Sequence, residues 1–194
     1  MQTIAILGWG SLVWDPRDLP HYGPWKKDGP KLPIEFSRIS GDSRLTLVID
    51  LAAEVQCPTR FALSPRSEIA DAVEDIRRRE GTTRRHIGFY ERSGNSSSRG
   101  EFPQQVDVID VIRRWCNNAD IDGIVWTALP SNFHDETGTA FSVDAGITYL
   151  KSLPKTSREN ALKYIRNAPE EVDTPLRQRV AVEWPVRRLP GGDK

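Results

Sequence analysis

A chain of 194 residues with 38% hydrophobic and 28% charged residues is long enough to bury a real core and has the composition of a globular protein. Its 27 basic residues balance 27 acidic ones, which gives no electrostatic ground for a nucleic-acid or membrane partner. No apolar run is long enough for a transmembrane helix, no basic stretch of the signal-peptide kind opens the chain, and two widely spaced cysteines, Cys57 and Cys116, suit a reduced, cytoplasmic protein.

The first element is an unbroken apolar run, Ile4 to Leu7, as expected of a strand buried on both faces. Gly8 and Gly10 break it. Glycine frees the backbone to take positive φ and to lie close to a ligand, and the N–H groups of Trp9, Gly10, Ser11 and Leu12 are then candidates for an anion-holding concavity. Asp15-Pro16 reads as an N-cap and first helical position. The residues alone are equally served by a strand, a tight turn and a helix start with no ligand.

The stretch Gly8-Trp9-Gly10-Ser11-Leu12-Val13-Trp14 resembles the [Phe/Gly]-Tyr-Gly-Ser-Leu-[Ile/Val]-Trp signature of the gamma-glutamylcyclotransferase superfamily, most of all its ChaC-type branch, with Trp9 where that family usually has Tyr. The resemblance implies an α+β fold with a mixed, barrel-like β-sheet and surrounding helices. It also implies release of 5-oxoproline from a small-molecule γ-glutamyl substrate without cofactor or metal. Gly8, Trp9, Gly10, Ser11 and Leu12 would be the substrate-binding residues.

Residues 16 to 33, rich in proline, glycine and charge, read as an ordered loop or a short helix and loop, with His21, Tyr22 and Trp25 either lining a pocket mouth or covering a core edge. Ile34 to Ile39 and Leu45 to Leu51 read as a hairpin turning at Gly41-Asp42-Ser43. Cys57-Pro58 reads as a turn and Arg60 to Leu63 as a short strand.

From Glu68 the period becomes helical, with Ile69, Ala72, Val73 and Ile76 on one face and Gly81 as the residue that ends the helix. Glu80 lies four residues beyond Ile76, on the same face. A carboxylate is disfavoured there twice over, by burial and by the helix C-terminus. Two readings stand level: a functional carboxylate, or a frayed end where Glu80 pairs with Arg77, Arg84 or Arg85 in water. Arg79-Glu80-Gly81 also resembles the context of the family's catalytic glutamate, which makes Glu80 the catalytic candidate. Gly88-Phe89-Tyr90 would match the Gly-Tyr that follows, and Thr82 to His86 would be an insertion. Glu35 and Asp50 are the next carboxylates to consider. Arg77, Arg78, Arg79, Arg84 and Arg85 form a basic patch, read as a solvated helix face.

Further strands are expected over Ile87 to Glu91 and Ile121 to Leu129, with a Ser/Gly/Asn-rich loop over 93–100 and a helical stripe of Val108, Val111, Ile112 and Trp115 between them. Asn95-Ser96-Ser97 is formally a glycosylation sequon. Ser142 caps a helix, Thr156-Ser157-Arg158-Glu159 reads as a capping box for another, and Thr174-Pro175 opens a short helical turn. Val180, Val182 and Trp184 alternate as a last strand, before a polar tail at 189–194. The chain reads as a single domain, residues 1–194, with a helical addition from about 140.

Other chemistries fit less well. Gly8 and Gly10 lack the third glycine of a dinucleotide fingerprint, and no phosphate-loop lysine follows. His21, His86 and His134 have no partner at helical spacing, so no metal site is expected. Ser11 lies outside a Gly-x-Ser-x-Gly elbow. The alternative to an enzyme is a non-catalytic binding module, for a small molecule or a protein, on the same fold.

Overall fold

A computed structural model describes residues 2–94, 96–98 and 106–186. Asn95 of the sequon, part of the 93–100 loop and the 189–194 tail lie outside the described residues. The fold is α+β. The strands are β1 (Ile4–Gly8), β2 (Tyr22–Lys26), β3 (Lys31–Ile39), β4 (Leu45–Ile49), β5 (Gln56–Pro58), β6 (Arg60–Leu63), β7 (Ile87–Glu91), β8 (Ser96–Ser97) and β9 (Gly123–Thr127). The helices are α1 (Ile69–Glu80), α2 (Val106–Asn118), α3 (Phe133–Thr137), α4 (Val143–Ser152), α5 (Lys155–Asn167) and α6 (Pro175–Glu183).

One sheet has the order β2-β6-β1-β9-β7-β8, with β1 and β9 parallel and the other pairs antiparallel. The second has the order β4-β3-β5. Among the described residues the expected barrel does not close. β3 pairs with β5 over Lys31–Pro33 and with β4 over Ile34–Ile39, and no strand pairing joins it to the larger sheet.

β1 is the hub. Its residues are buried on both faces, and pleating sends Ile4 and Ile6 to one apolar cluster, Ala5 and Leu7 to the other. The first cluster includes Ala72, Val73 and Ile76, the expected stripe of α1. The second joins β1, β3, β4 and β9 to α2, α4, α5 and α6, so the helices after residue 140 share the main core.

Several expectations are corrected. Asp15-Pro16 starts no helix: Arg17 has φ 53°, a left-handed conformation that cannot continue an α-helix. Residues 22–26 form a strand, tolerated with Pro24 because β2 lies at the edge of its sheet. Cys57-Pro58 belongs to strand β5. The capping box at Thr156 does not form; the N-cap is Pro154, two residues earlier. Val180, Val182 and Trp184 form no strand. Thr174 Oγ1 accepts from Arg177 N–H, Pro175 fills the first turn, and Leu176 and Val180 are buried at helical spacing while Val182 is 76% exposed.

Candidate functional site

The loop after β1 is fixed by two anchors. Trp9 is buried in the main core and Leu12 in the α1-side core, which leaves Gly10 and Ser11 between them. Val13 N–H donates to Gly10 O at 3.0 Å and Asp15 N–H to Ser11 O at 2.8 Å, closing tight turns. Among the described residues the N–H groups of Gly10, Ser11 and Leu12 have no acceptor. The expected positive φ at the glycines is absent: left-handed glycines occur at Gly23, Gly81 and Gly138. What the loop requires of glycine is close approach. A Cβ on Gly8 would lie 2.8 Å from the Trp25 ring, and one on Gly10 would lie 3.3 Å from the Tyr164 hydroxyl.

Glu80 reaches this loop because of how α1 ends. Gly81 takes φ 62° and its N–H turns back to the carbonyls of the last turn, so Glu80 is the last helical residue. Gly8, Trp9, Gly10, Ser11, Leu12 and Glu80 all line one cleft of about 380 Å³, together with β3–β4 residues and Tyr164 of α5. Glu80 is 16% exposed. Its Oε1 accepts from Arg79 Nη1 at 2.9 Å and from Thr127 Oγ1, at the end of β9, at 3.3 Å. Its Oε2 has no partner among the described residues.

Sequence reasoning missed Arg79, as it missed Arg38, Arg44, Thr127 and Tyr164 of the same cleft. Pooled with a solvated basic patch, Arg79 proves to be 4% exposed. Its Nη2 donates to Asp15 O at 2.6 Å and to Ser11 Oγ at 3.2 Å, while Nη1 holds Glu80. One guanidinium thus ties the glycine loop to the carboxylate. The signal was available: Arg79 lies three residues beyond Ile76, on the same helical face as Glu80. Arg77 and Arg78 do lie outward, paired with Glu74 and Asp75.

Four guanidinium groups, Arg17, Arg38, Arg44 and Arg79, line the cleft against the single carboxylate of Glu80. Arg17 lies 3.5 Å from Asp15, and Arg44 Nε lies 2.8 Å from Asp42, close enough for an ion pair but off the hydrogen-bond direction. Arg38 has no ion pair among the described residues. Its Nη1 donates to Pro130 O at 2.8 Å, and burial lowers its pKa from the ordinary arginine value. The lining of the cleft thus carries more positive than negative charge.

Glu35 and Asp50 do not line the cleft. Glu35 is buried at the start of α6, accepting from Phe36 N–H, Thr174 Oγ1 and Leu176 N–H. Asp50 accepts from Ala52 N–H in the turn after β4. Thr82 to His86 forms a turn and a single 3-10 turn, with Thr82 on the cleft and hydrogen-bonded to His86 Nδ1 at 2.7 Å. Gly88 is demanded by packing, since a Cβ there would lie 2.1 Å from the Trp126 ring. Among the described residues no group of three His, Cys, Asp or Glu is placed to hold a metal ion, and no helix is long and apolar enough to cross a membrane. No family model, no curated protein and no solved structure matches this chain.

Proposed function

We propose that the cleft binds a γ-glutamyl compound and releases 5-oxoproline from it, as the resemblance to gamma-glutamylcyclotransferases implies, on a divergent form of that fold. The α-amine attacks the γ-carbonyl of the same molecule. A C–N bond closes the five-membered ring, the original γ-amide C–N bond breaks, and one proton moves from the attacking nitrogen to the leaving one. No water and no covalent enzyme intermediate is required. Glu80 is the group that takes and returns that proton. The N–H groups of residues 10 to 12 hold the substrate carboxylate or the developing oxyanion.

The observation that supports this reading best is the asymmetry of Glu80. Arg79 and Thr127 both bind Oε1, which fixes the carboxylate, while Oε2 has no partner among the described residues and Glu80 lines the same cleft as the glycine loop. A base held by one oxygen and open at the other is positioned without being consumed by its own support. A second reading, a non-catalytic binding module, is favoured by the same Arg79–Glu80 pair, because a carboxylate kept for an ion pair also needs no chemistry. Incubation with a panel of γ-glutamyl peptides and γ-glutamyl amines, followed by quantitation of 5-oxoproline, separates the two. Release from at least one compound is expected; binding of γ-glutamyl compounds without release from any is the signature of the module.

A further inference from the structure

Tyr164 belongs to α5, in the C-terminal stretch that the sequence sets apart from the cyclotransferase-like part. It nevertheless forms a wall of the cleft and is 7% exposed. Its ring is held by Trp14, edge-on at 5.2 Å, by Phe36 at 6.3 Å, and by the Arg44 guanidinium 5.0 Å from the ring centroid. The hydroxyl lies beneath the glycine loop, where a Cβ on Gly10 would come within 3.3 Å of it, a tight contact. The Leu47 backbone and the Ser11 hydroxyl are its neighbours. The ring contacts alone do not call for that oxygen, because a phenylalanine ring would meet Trp14, Phe36 and Arg44 equally well; its protein partners, the Leu47 backbone and the Ser11 side chain, act as donors to it and leave its own proton for a ligand. Burial, with the charge of Glu80 adding to it and Arg44 opposing, pushes the phenol above the ordinary tyrosine value, so it holds its proton at neutral pH.

We propose that Tyr164 contacts the ligand directly. Its hydroxyl donates a hydrogen bond to the carboxylate held at residues 10 to 12, so that α5 completes the binding site. This rests on the cleft being the γ-glutamyl site.

The test uses the full chain and Tyr164→Phe, with L-glutamate as the binding probe and γ-glutamylalanine as the substrate probe. Calorimetry gives Kd, product release gives kcat and KM separately, and the thermal midpoint controls for folding. Loss of a hydrogen bond to a charged group predicts L-glutamate binding weaker by about 10- to 100-fold, with an increase in KM of similar size and little change in midpoint. Equal Kd in both proteins overturns the proposal, as does a loss of midpoint without a loss of affinity in the folded variant. If L-glutamate binding weakens while the wild type cyclises nothing, the contact stands and the cyclotransferase reading falls. If the wild type binds neither probe, both fall. Should Tyr164→Phe not fold, the wild-type chain labelled with fluorotyrosine replaces it. Its four tyrosines are assigned by exchanging Tyr22, Tyr90 and Tyr149 for phenylalanine. The Tyr164 fluorine signal shifts on adding L-glutamate if the contact exists, and an unmoved signal at saturation overturns it.

Discussion

Arg79 donates to Glu80 at 2.9 Å through one terminal nitrogen and to the Asp15 carbonyl at 2.6 Å through the other. Neighbours in sequence, the two residues share the end of α1; Arg79 clamps that end to the loop after β1, and Glu80 ties it to Thr127 at the end of β9. The Arg79 Nε is buried and has no partner among the described residues, so the guanidinium is not placed for its own best solvation. Its geometry serves the groups around it.

Removing Arg79 should therefore unsettle both sides of the cleft. Arg79→Met leaves Glu80 beside a position with no cation and strips the donor from the Asp15 carbonyl. A loss of about 3 kcal/mol is expected from equilibrium denaturation. Arg79→Lys keeps the charge but cannot span three acceptors with a planar fork, and should fall between the two. A change below about 0.5 kcal/mol in Arg79→Met, the range of ordinary surface substitutions, would mean that the clamp is incidental.

Glu35 gives the fold a pH dependence of its own. Burial raises its pKa above the ordinary glutamate value, against the lowering effect of Thr174, Phe36 and Leu176. An acid whose folded pKa is raised stabilises the fold at low pH, and that contribution is lost as pH rises from the ordinary glutamate range, about 4.3, through the raised value. Glu35→Gln cannot ionise. Its stability relative to wild type should climb as pH is raised over that window and then level off. A difference between the two proteins that stays flat with pH would contradict this.

Cys57 and Cys116 are both buried and free, and burial pushes their thiols up to about 11 and about 12. Little thiolate exists at pH 8, so a thiol reagent should modify the native protein slowly and both residues rapidly after denaturation. Fast labelling of the native protein at pH 8 would contradict the buried placement.

Much of this was legible in the sequence, and the failures have physical causes. The apolar run Ile4 to Leu7 did mark a strand buried on both faces, because no polar residue interrupts it. The α1 stripe and Gly81 placed Glu80 at a helix end on a buried face. Arg79 was misread by composition: among neighbouring arginines its charge outweighed its position in the helical period. The alternation of Val180, Val182 and Trp184 was outweighed by the cap at Thr174 and by burial of Leu176 and Val180. Tyr164 is legible as a core residue at best, since its approach to Gly10 depends on α5 docking against β4. No local pattern encodes a contact between residues so far apart in the chain.

The most direct measurement is the rate of 5-oxoproline release by Glu80→Gln, set against wild type on a γ-glutamyl compound that the wild type cyclises. Glutamine keeps an oxygen for Arg79 Nη1 and Thr127 Oγ1 but cannot carry the proton, so the fold and substrate affinity should hold. Turnover should drop by about 10² to 10⁴, the usual contribution of a positioned general base. Full turnover in a folded Glu80→Gln protein would contradict the account and move the base elsewhere.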